Sequence, residues 1–412
     1  MCGIAGFVDQ RDALAPAERA EVLDRMCRII AHRGPDDQGT AVEGRVALGM
    51  RRLSIIDLAG GNQPMHGCRD EGTSVVFNGE IYNYRELQKE LEARGHKFHT
   101  HSDTEAIVHA YEEFGGTCVE HLRGMFAFAI HDARTQTLFI ARDRAGKKPL
   151  YYTTTREGSF VFGSELKSLL EHPQVTREID LEALDAYLSL GYVPDELSIF
   201  RRVHKLPAGH HLTLKDERVA VKSYWDFSYE PVSEVRREEE YVEELRALLD
   251  EAVRLRLVAD VPLGAFLSGG VDSSTVVGLM ARHTSQPVKT FSIGFREDSY
   301  DELKYARIAA RHFGTEHHEF VVTPDICRVV DELAWHFDEP FADSSAIPTY
   351  MVSKLAREHV KVVLSGDGGD ELFAGYTRYG VEHSRRAFAR LPRFVREGLM
   401  RPLSHRLPHG AR

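Results

Sequence analysis

The hydrophobic pattern of this 412-residue chain changes near residue 240, and that change constrains the fold more than any other feature. Before it, short apolar runs separated by turn residues predict many strands and few helices. After it, strand-like segments at 263–267 and 288–295 alternate with helix-like segments at 273–283 and 301–314. Such alternation favours a parallel sheet covered by helices. We therefore expect two domains, the first rich in strands and the second of the α/β class.

Charge and hydropathy exclude several classes of protein. The net charge of −11 disfavours nucleic-acid binding, which needs a basic face. No apolar run approaches the roughly 18 residues of a membrane helix, and the N-terminus lacks the pattern of a signal peptide. Five cysteines without a CxxC pair suit a reducing compartment. We expect a cytoplasmic protein with no nucleic-acid or membrane partner.

Cys2 is the first candidate catalytic residue. Termini usually fray, but removal of Met1 would leave Cys2 with a free α-amine beside its thiol. An α-amine with a pKa near 7.7–8.0 can accept a proton from a thiol whose pKa is about 8.5. The alternative is that Cys2 is an ordinary cysteine, and the segment MCGI alone does not decide between them.

A glycine turn at Ser268–Gly270 follows an apolar strand and precedes a helix. Backbone N–H groups in such a turn can bind an anion beside the helix N-terminus, at the carboxyl end of a parallel strand. The turn is neither a Walker A loop nor a dinucleotide GxGxxG motif. A similar loop, LSGDGGDE at 364–371, follows another strand-like segment. The alternative for each loop is a plain turn with solvated polar groups.

A series of motifs, taken in order from Cys2 to about Tyr376, resembles the glutamine-hydrolysing asparagine synthetases. The resemblance implies a class II glutamine amidotransferase domain at 2–210, an α+β N-terminal-nucleophile sandwich of antiparallel sheets with helices. A connection at 211–237 would lead to an α/β PP-loop ATP pyrophosphatase domain at 238–412. It also implies L-glutamine, L-aspartate, ATP and Mg²⁺ as small-molecule partners, and a homodimer. The motifs are MCGIAGF, HRGPD, RRLSIIDL, FNGEIYN, HSDTE, GMFAFAI, ARDRAGKKPLYY, LSGGVDSS and LSGDGGDE.

The resemblance assigns the chemistry of the first domain. Cys2 would be the nucleophile, and Asn78 and Gly79 would form the oxyanion hole, worth roughly 3 kcal/mol of barrier per donor. An Asn-Gly pair is also a hairpin signal, so we expect a turn that aims these donors. Arg52 would grip the glutamine carboxylate with a bidentate fork. The glutamine-binding set is Arg52, Leu53, Ser54, Ile55, Ile56, Asn78, Gly79, Glu80 and Asp103, with Glu80 and Asp103 on the α-ammonium.

The resemblance also assigns an ATP site to the second domain. Asp272 and Asp370 would hold Mg²⁺, because hard carboxylate oxygens suit that ion. Asp367 would lie beside the acceptor, at a position where asparagine synthetases commonly have glutamate. Because of that departure, an amidotransferase that acts on another carboxylate is an alternative interpretation of the chain. A synthetase-inactive regulatory relative is the other alternative, which intact Cys2, Asp272 and Asp370 disfavour. The ATP-binding set is Phe266, Leu267, Ser268, Gly269, Gly270, Asp272, Ser273, Ser274, Ile293, Ser365 and Gly366.

Asparagine synthetases usually continue well beyond the LSGDGGDE loop, with a lysine that reaches the ATP phosphates. The present sequence ends at Arg412, so the resemblance implies that a C-terminal part is missing. For this chain we expect nearly normal glutamine hydrolysis, weak ATP binding, little amide synthesis and an exposed apolar patch.

Overall fold

The computed structural model describes residues 2–68, 72–230, 235–294, 303–322, 326–393 and 395–400. The strands of the first half are β1 (Gly3–Asp9), β2 (Asp37–Glu43), β3 (Val46–Arg52), β4 (Met65–His66), β5 (Thr73–Ile81), β6 (Gly124–Asp132), β7 (Thr137–Arg142), β8 (Tyr151–Thr154), β9 (Ser159–Gly163), β10 (His204–Lys205), β11 (His210–Lys215) and β12 (Arg218–Ser223). Its helices are α1 (Pro16–Ile29), α2 (Tyr84–Ala93), α3 (Asp103–Phe114), α4 (Cys118–His121), α5 (Leu166–Leu169) and α6 (Leu181–Leu190), with a 3-10 turn at Gly115–Thr117.

The first half is a sandwich of two six-stranded antiparallel sheets. Their strand orders are β10-β8-β9-β1-β3-β2 and β12-β11-β7-β6-β5-β4. Side chains alternate along the strands, so that Ile4 and Phe162 of one sheet pack with Val76 and Ile140 of the other. Helices α2 and α3 cover the outer face of the second sheet, and α1 covers that of the first. This confirms the predicted antiparallel α+β sandwich.

One local prediction for the first half, the turn at Asn78 and Gly79, needs correction. Asn78 and Gly79 lie inside β5, opposite Ala127 and Phe126 of β6, and do not form a turn. Continuous pairing with β6 overrides the local turn preference of the Asn-Gly pair. Helix α3 is capped by Ser102, whose side chain accepts a hydrogen bond from the Thr104 N–H.

Strands β11 and β12 occupy residues that the sequence analysis assigned to the connection. β11 pairs with β7, and β12 pairs with β11. Together they complete one edge of the second sheet, so the sandwich continues to Ser223, beyond the expected boundary at residue 210.

The second half begins with a long helix and continues as an α/β unit. Its four strands, β13, β14, β15 and β16, form one parallel sheet in the order β15-β14-β13-β16. This order puts the carboxyl ends of β13 and β16 side by side, where a ligand of an open α/β sheet binds. None of the helices in the described ranges is long and apolar enough to cross a membrane. The elements are α7 (Glu238–Arg256), β13 (Leu263–Phe266), α8 (Val271–His283), β14 (Lys289–Gly294), α9 (Leu303–Phe313), β15 (Glu316–Val321), α10 (Ile326–Phe337), α11 (Ala346–Ala356), β16 (Val362–Leu364), α12 (Gly369–Phe373) and α13 (Thr377–Ala389), with a π-helical turn at Val395–Met400.

The β16 side of the parallel sheet lies against the sandwich. The Lys361 ammonium, next to β16, contacts the Asp36 carboxylate at 2.8 Å. The Asp260 carboxylate accepts a hydrogen bond of 2.8 Å from the backbone N–H of Asp57. The start of β16 is therefore held next to the loops of the first half that carry the candidate site.

Candidate active site

One cavity of about 420 Å³ brings together most of the predicted glutamine-site residues. Ser54 is the exception, because it does not line the cavity and its backbone N–H donates to Asp36. The predicted residues that line the cavity are Cys2, Arg52, Leu53, Ile55, Ile56, Asn78, Gly79, Glu80 and Asp103.

Cys2 lies immediately before β1, with its thiol at the cavity wall. The backbone N–H of Leu53 donates to Cys2 Sγ at 3.4 Å, and the Cys2 carbonyl accepts a 2.9 Å bond from Arg33 Nε. These contacts hold both the side-chain sulfur and the backbone carbonyl of Cys2 in place. Burial raises the pKa of the Cys2 thiol, so the thiol needs a base to become a nucleophile near neutral pH. Among the described residues, no histidine lines this cavity.

Asn78 carries a buried side-chain amide with unmet hydrogen bonds. Its side chain is fully buried, and neither Nδ2 nor Oδ1 has a partner within the described structure. An unsatisfied buried polar group costs about 1–3 kcal/mol, so the amide Nδ2 can donate a hydrogen bond to the oxygen of a ligand. At the neighbouring Gly79, an added Cβ would overlap the Met125 carbonyl of β6. Glycine is required for this close approach of the two strands.

Two buried carboxylates, Glu80 and Asp103, make the cavity attractive to a cation. Asp103 Oδ2 accepts a 2.9 Å bond from the Ile81 N–H. Burial raises the pKa of Asp103 to about 7, and the nearby Glu80 charge contributes to the shift. Burial also raises the pKa of Glu80. A ligand ammonium between these groups would favour their charged forms.

Arg52 lines the cavity, but the terminal nitrogens of its guanidinium group already donate hydrogen bonds within the protein. Its two terminal nitrogens donate to four oxygens of the loop at 56–62, at distances of 2.6–3.3 Å. The bidentate grip expected from the sequence is therefore not available in this structure. Arg52 instead organises the 56–62 loop and leaves its charge at the cavity wall. The accepting atoms are the carbonyl oxygens of Ile56, Asp57 and Leu58 and the Asn62 side-chain oxygen.

Several cavity residues were not predicted as site residues. Gln63 Nε2 donates to Thr104 Oγ1 at 3.1 Å, and Gln63 Oε1 accepts the Phe77 N–H at 2.7 Å. Burial lowers the pKa of Lys148, which was identified only as part of a longer motif. The second half contributes Ser353, Lys361, Val362 and Val363 to the same cavity. No pattern in the sequence predicts a contact between such distant segments.

The predicted strand–turn–helix around the nucleotide loop is confirmed. Gly269 has a φ of 84°, and an added Cβ would strike the backbone at Tyr305 and Ala306. Ser268 Oγ lies 3.0 Å from Ser273 Oγ and accepts the Gly270 N–H at 3.2 Å. Ser274 follows in the first turn of α8, and its backbone N–H donates to the Gly270 carbonyl.

The second glycine-rich loop packs directly on the first. A Cβ at either Gly366 or Gly369 would contact Asp272, so only small residues fit between the loops. Ser365 Oγ donates to Asp367 Oδ2 at 2.9 Å, and Asp370 lies on α12. Asp272 and Asp370 supply carboxylate oxygens at the two loops, which is a donor set that fits Mg²⁺ beside a polyphosphate.

A small cavity of about 200 Å³ adjoins the nucleotide loop. Four residues of the predicted ATP set line it or its rim, among apolar side chains of α9 and α11. These four are Phe266, Leu267, Ser268 and Ile293.

Comparisons with known proteins agree with this two-part organisation. Residues 1–225 match the family model described as a glutamine amidotransferase domain, and residues 244–412 match the model described as asparagine synthase. The chain is 40% identical to asparagine synthetase (glutamine-hydrolyzing) 1 of Bacillus subtilis, over 98% of its own length and 63% of that protein. A Methanocaldococcus jannaschii protein, named as a putative enzyme of the same kind, is 38% identical over 96% of this chain and 79% of that protein.

A more distant relative has a different name. Amidase chyE of Penicillium rubens is 34% identical over 92% of this chain and 60% of that protein. The present chain thus spans about three fifths to four fifths of the length of these relatives. The chain belongs to the family of glutamine-hydrolysing asparagine synthetases, with a glutamine amidotransferase domain followed by an asparagine synthase domain.

Proposed function

We propose that this chain carries both catalytic centres of glutamine-dependent asparagine synthesis. ATP, L-aspartate, L-glutamine and water would give AMP, diphosphate, L-asparagine and L-glutamate. The observation that supports this most strongly is the cavity where the Cys2 thiol, the unpartnered Asn78 amide and buried Asp103 meet. A thiol, an oxyanion donor and an anionic subsite are what hydrolysis of an amino-acid amide requires.

In the first half-reaction, the α-amine of Cys2, exposed by removal of Met1, takes the thiol proton. The sulfur attacks the side-chain carbonyl carbon of glutamine, whose oxygen becomes negative between the Asn78 amide and the Gly79 N–H. The proton then goes to the leaving nitrogen, the C–N bond breaks, and ammonia departs. Water hydrolyses the Cys2 thioester to release glutamate.

In the second half-reaction, an oxygen of the aspartate β-carboxylate attacks the α-phosphorus of ATP, and diphosphate leaves. Mg²⁺, held by Asp272 and Asp370, would supply charge neutralisation for the diphosphate. The loop at Ser268–Ser274 would bind its oxygens through backbone N–H and hydroxyl groups. Ammonia attacks the resulting acyl-adenylate, and AMP leaves.

The two half-reactions can be joined along β16. Val362 and Val363 line the Cys2 cavity, and the same strand leads to Ser365 and Asp367 at the nucleotide loops. A short, partly apolar path of this kind would carry ammonia without exposing it to water, where it would be protonated. A cytoplasmic location and a homodimer remain predictions.

A second candidate is amidation of another carboxylate by the same chemistry. Two observations support this second candidate: the shorter side chain of Asp367, and the similarity to a Penicillium protein named as an amidase.

ATP–diphosphate exchange, measured across a panel of carboxylic acids, tests both candidates. Exchange that requires aspartate supports asparagine synthesis even if it is slow, and exchange that requires another acid identifies the second candidate. Exchange that depends on none of the acids would overturn the adenylation step.

A further inference from the structure

Four potential metal ligands converge beside α3, and none of them lines the cavity that contains Cys2. Cys68 follows β4, His96 follows α2, and His109 and Glu112 lie on one face of α3. One ligand atom from each residue lies within 4.8 Å of the other three. We call these residues the α3 cluster. Both histidine side chains and the Glu112 side chain are almost completely buried.

Four of the six distances between ligand atoms of the α3 cluster are near the edge lengths of a tetrahedral metal site, and all six lie within 4.8 Å. Cys68 Sγ lies 3.6 Å from His96 Nδ1 and 3.7 Å from Glu112 Oε2. Glu112 Oε2 lies 3.4 Å from His96 Nδ1 and 3.0 Å from His109 Nδ1. Zinc bonds of about 2.3 Å to sulfur and 2.0–2.1 Å to nitrogen or oxygen give tetrahedral edges of about 3.3–3.6 Å.

The surroundings of the cluster orient its histidines as metal ligands. While His96 Nδ1 faces the cluster, its Nε2 lies 3.2 Å from Glu113 Oε2. While His109 Nδ1 faces the cluster, its Nε2 lies 3.4 Å from Glu105 Oε1. A metal-bound histidine typically donates its other ring N–H to a carboxylate, which fixes the ring and its tautomer.

The remaining two ligands are also held in place. The Lys97 backbone N–H donates to Cys68 Sγ at 3.5 Å, which fixes the position of the sulfur. The Cys68 N–H donates to Glu112 Oε2 at 3.3 Å. Gly67 leaves room for Glu112, because an added Cβ would overlap that carboxylate. Bound to a metal, the four side chains would supply a thiolate, two imidazoles and a carboxylate, a set that favours zinc over magnesium or calcium.

We propose that the α3 cluster binds one Zn²⁺ in a closed, four-ligand structural site. The metal ties the segment after β4 and the α2–α3 loop to the middle of α3. Ser102 and Thr104 at the start of the same helix line the glutamine cavity, so the site would stabilise the helix that positions Asp103. It has no open coordination position and no part in the amide chemistry.

The test uses the full chain, expressed with zinc and then passed through chelator and gel filtration. We expect about one zinc per chain by plasma mass spectrometry, and a large loss of zinc in Cys68→Ser and His109→Gln. Cys118→Ala is the matched control, since Cys118 is a buried cysteine of the same domain outside the cluster. His131→Gln is the control for a buried histidine paired with glutamate, and both controls should keep their zinc.

Cobalt substitution gives a readout that does not depend on the stability of a variant. Co²⁺ added to the metal-free wild-type chain should produce the strong visible bands of a tetrahedral site and a thiolate-to-cobalt charge-transfer band. The charge-transfer band should be absent from Cys68→Ser and present in Cys118→Ala. Weak octahedral bands without charge transfer in the wild-type chain would overturn the proposal. Zinc retained equally by Cys68→Ser and the wild type would overturn it as well.

Discussion

Lys167 of α5, in the glutamine amidotransferase domain, pairs with Asp338, the residue directly after α10 in the asparagine synthase domain. The Nζ–Oδ1 distance is 3.0 Å, and each side chain is only 10% exposed. Lys167 also contacts Glu165 at 2.6 Å, and Glu165 contacts Arg33 at 2.8 Å. Because Arg33 Nε donates to the Cys2 carbonyl, an unbroken chain of contacts joins the backbone of Cys2 to the second domain.

Replacement of Lys167 tests the energetic importance of this buried pair. Lys167→Met leaves Asp338 and Glu165 without their shared cation, and breaking one partner of a buried pair costs about 3–5 kcal/mol. Denaturant unfolding should show a loss of that order. Arg201→Met is the control, because the Arg201–Glu178 pair is largely exposed, and exposed pairs contribute only about 0–1 kcal/mol. Equal losses in the two variants would contradict a special role for Lys167.

Asn78→Ala should separate catalysis from stability. Loss of one oxyanion donor lowers kcat about 10²–10³-fold, with little change in KM for glutamine. The Asn78 amide has no partner within the described structure, so its removal should not lower the melting temperature. Steady-state glutamine hydrolysis and thermal unfolding measure the two quantities. A destabilised variant with normal kcat would mean that Asn78 is a structural residue.

The raised pKa of Asp103 predicts pH-dependent glutamine binding. Since burial raises this pKa to about 7, the carboxyl becomes neutral as the pH falls from 8 to 6 and loses its attraction for the substrate ammonium. KM for glutamine should therefore increase over that range in the wild type. In Asp103→Asn, KM should be high throughout and nearly independent of pH. A parallel increase in both proteins would assign the titration to another group.

The same raised pKa of Asp103 predicts that Asp103→Asn, which weakens glutamine binding, makes the folded protein more stable at high pH. The folded-state pKa of Asp103 lies above the unfolded value of about 3.9, so the folded protein binds this proton more tightly. The destabilising contribution is absent below that value, grows as the pH rises and is complete above about 7. Asp103→Asn should melt above the wild type at pH 8 and together with it at pH 4. A variant that melts below the wild type at both values would contradict this.

Asp272→Asn should abolish acceptor-dependent ATP–diphosphate exchange while glutamine hydrolysis continues. The substitution removes a carboxylate between the two nucleotide loops, where charge neutralisation is needed. Asp331→Asn, an exposed position on α10, controls for the change in net charge. Exchange at the wild-type rate in Asp272→Asn would show that the loop does not bind the diphosphate through this residue.

Local patterns predicted the second domain's nucleotide loops well, because a strand, a glycine turn and a helix are adjacent in sequence. They failed at Asn78, where pairing of β5 with β6 replaces the turn. They also failed at β11 and β12, which complete a sheet although their residues were expected to form part of the connection. The occupied fork of Arg52 depends on loop carbonyls that no motif encodes. The α3 cluster was not predicted, since its ligands come from separate segments without a metal-binding motif.

The central claim is that Cys2, with Met1 removed, is the nucleophile of the cavity. The most direct measurement is peptide mass spectrometry after reaction with a chloroketone analogue of glutamine. We expect an adduct on a chain that begins at Cys2, protection by excess glutamine, and loss of glutamine hydrolysis in step with labelling. Cys27, Cys68, Cys118 and Cys327 should stay unmodified. Labelling of one of those cysteines in place of Cys2, or continued hydrolysis by Cys2→Ala, would contradict the account.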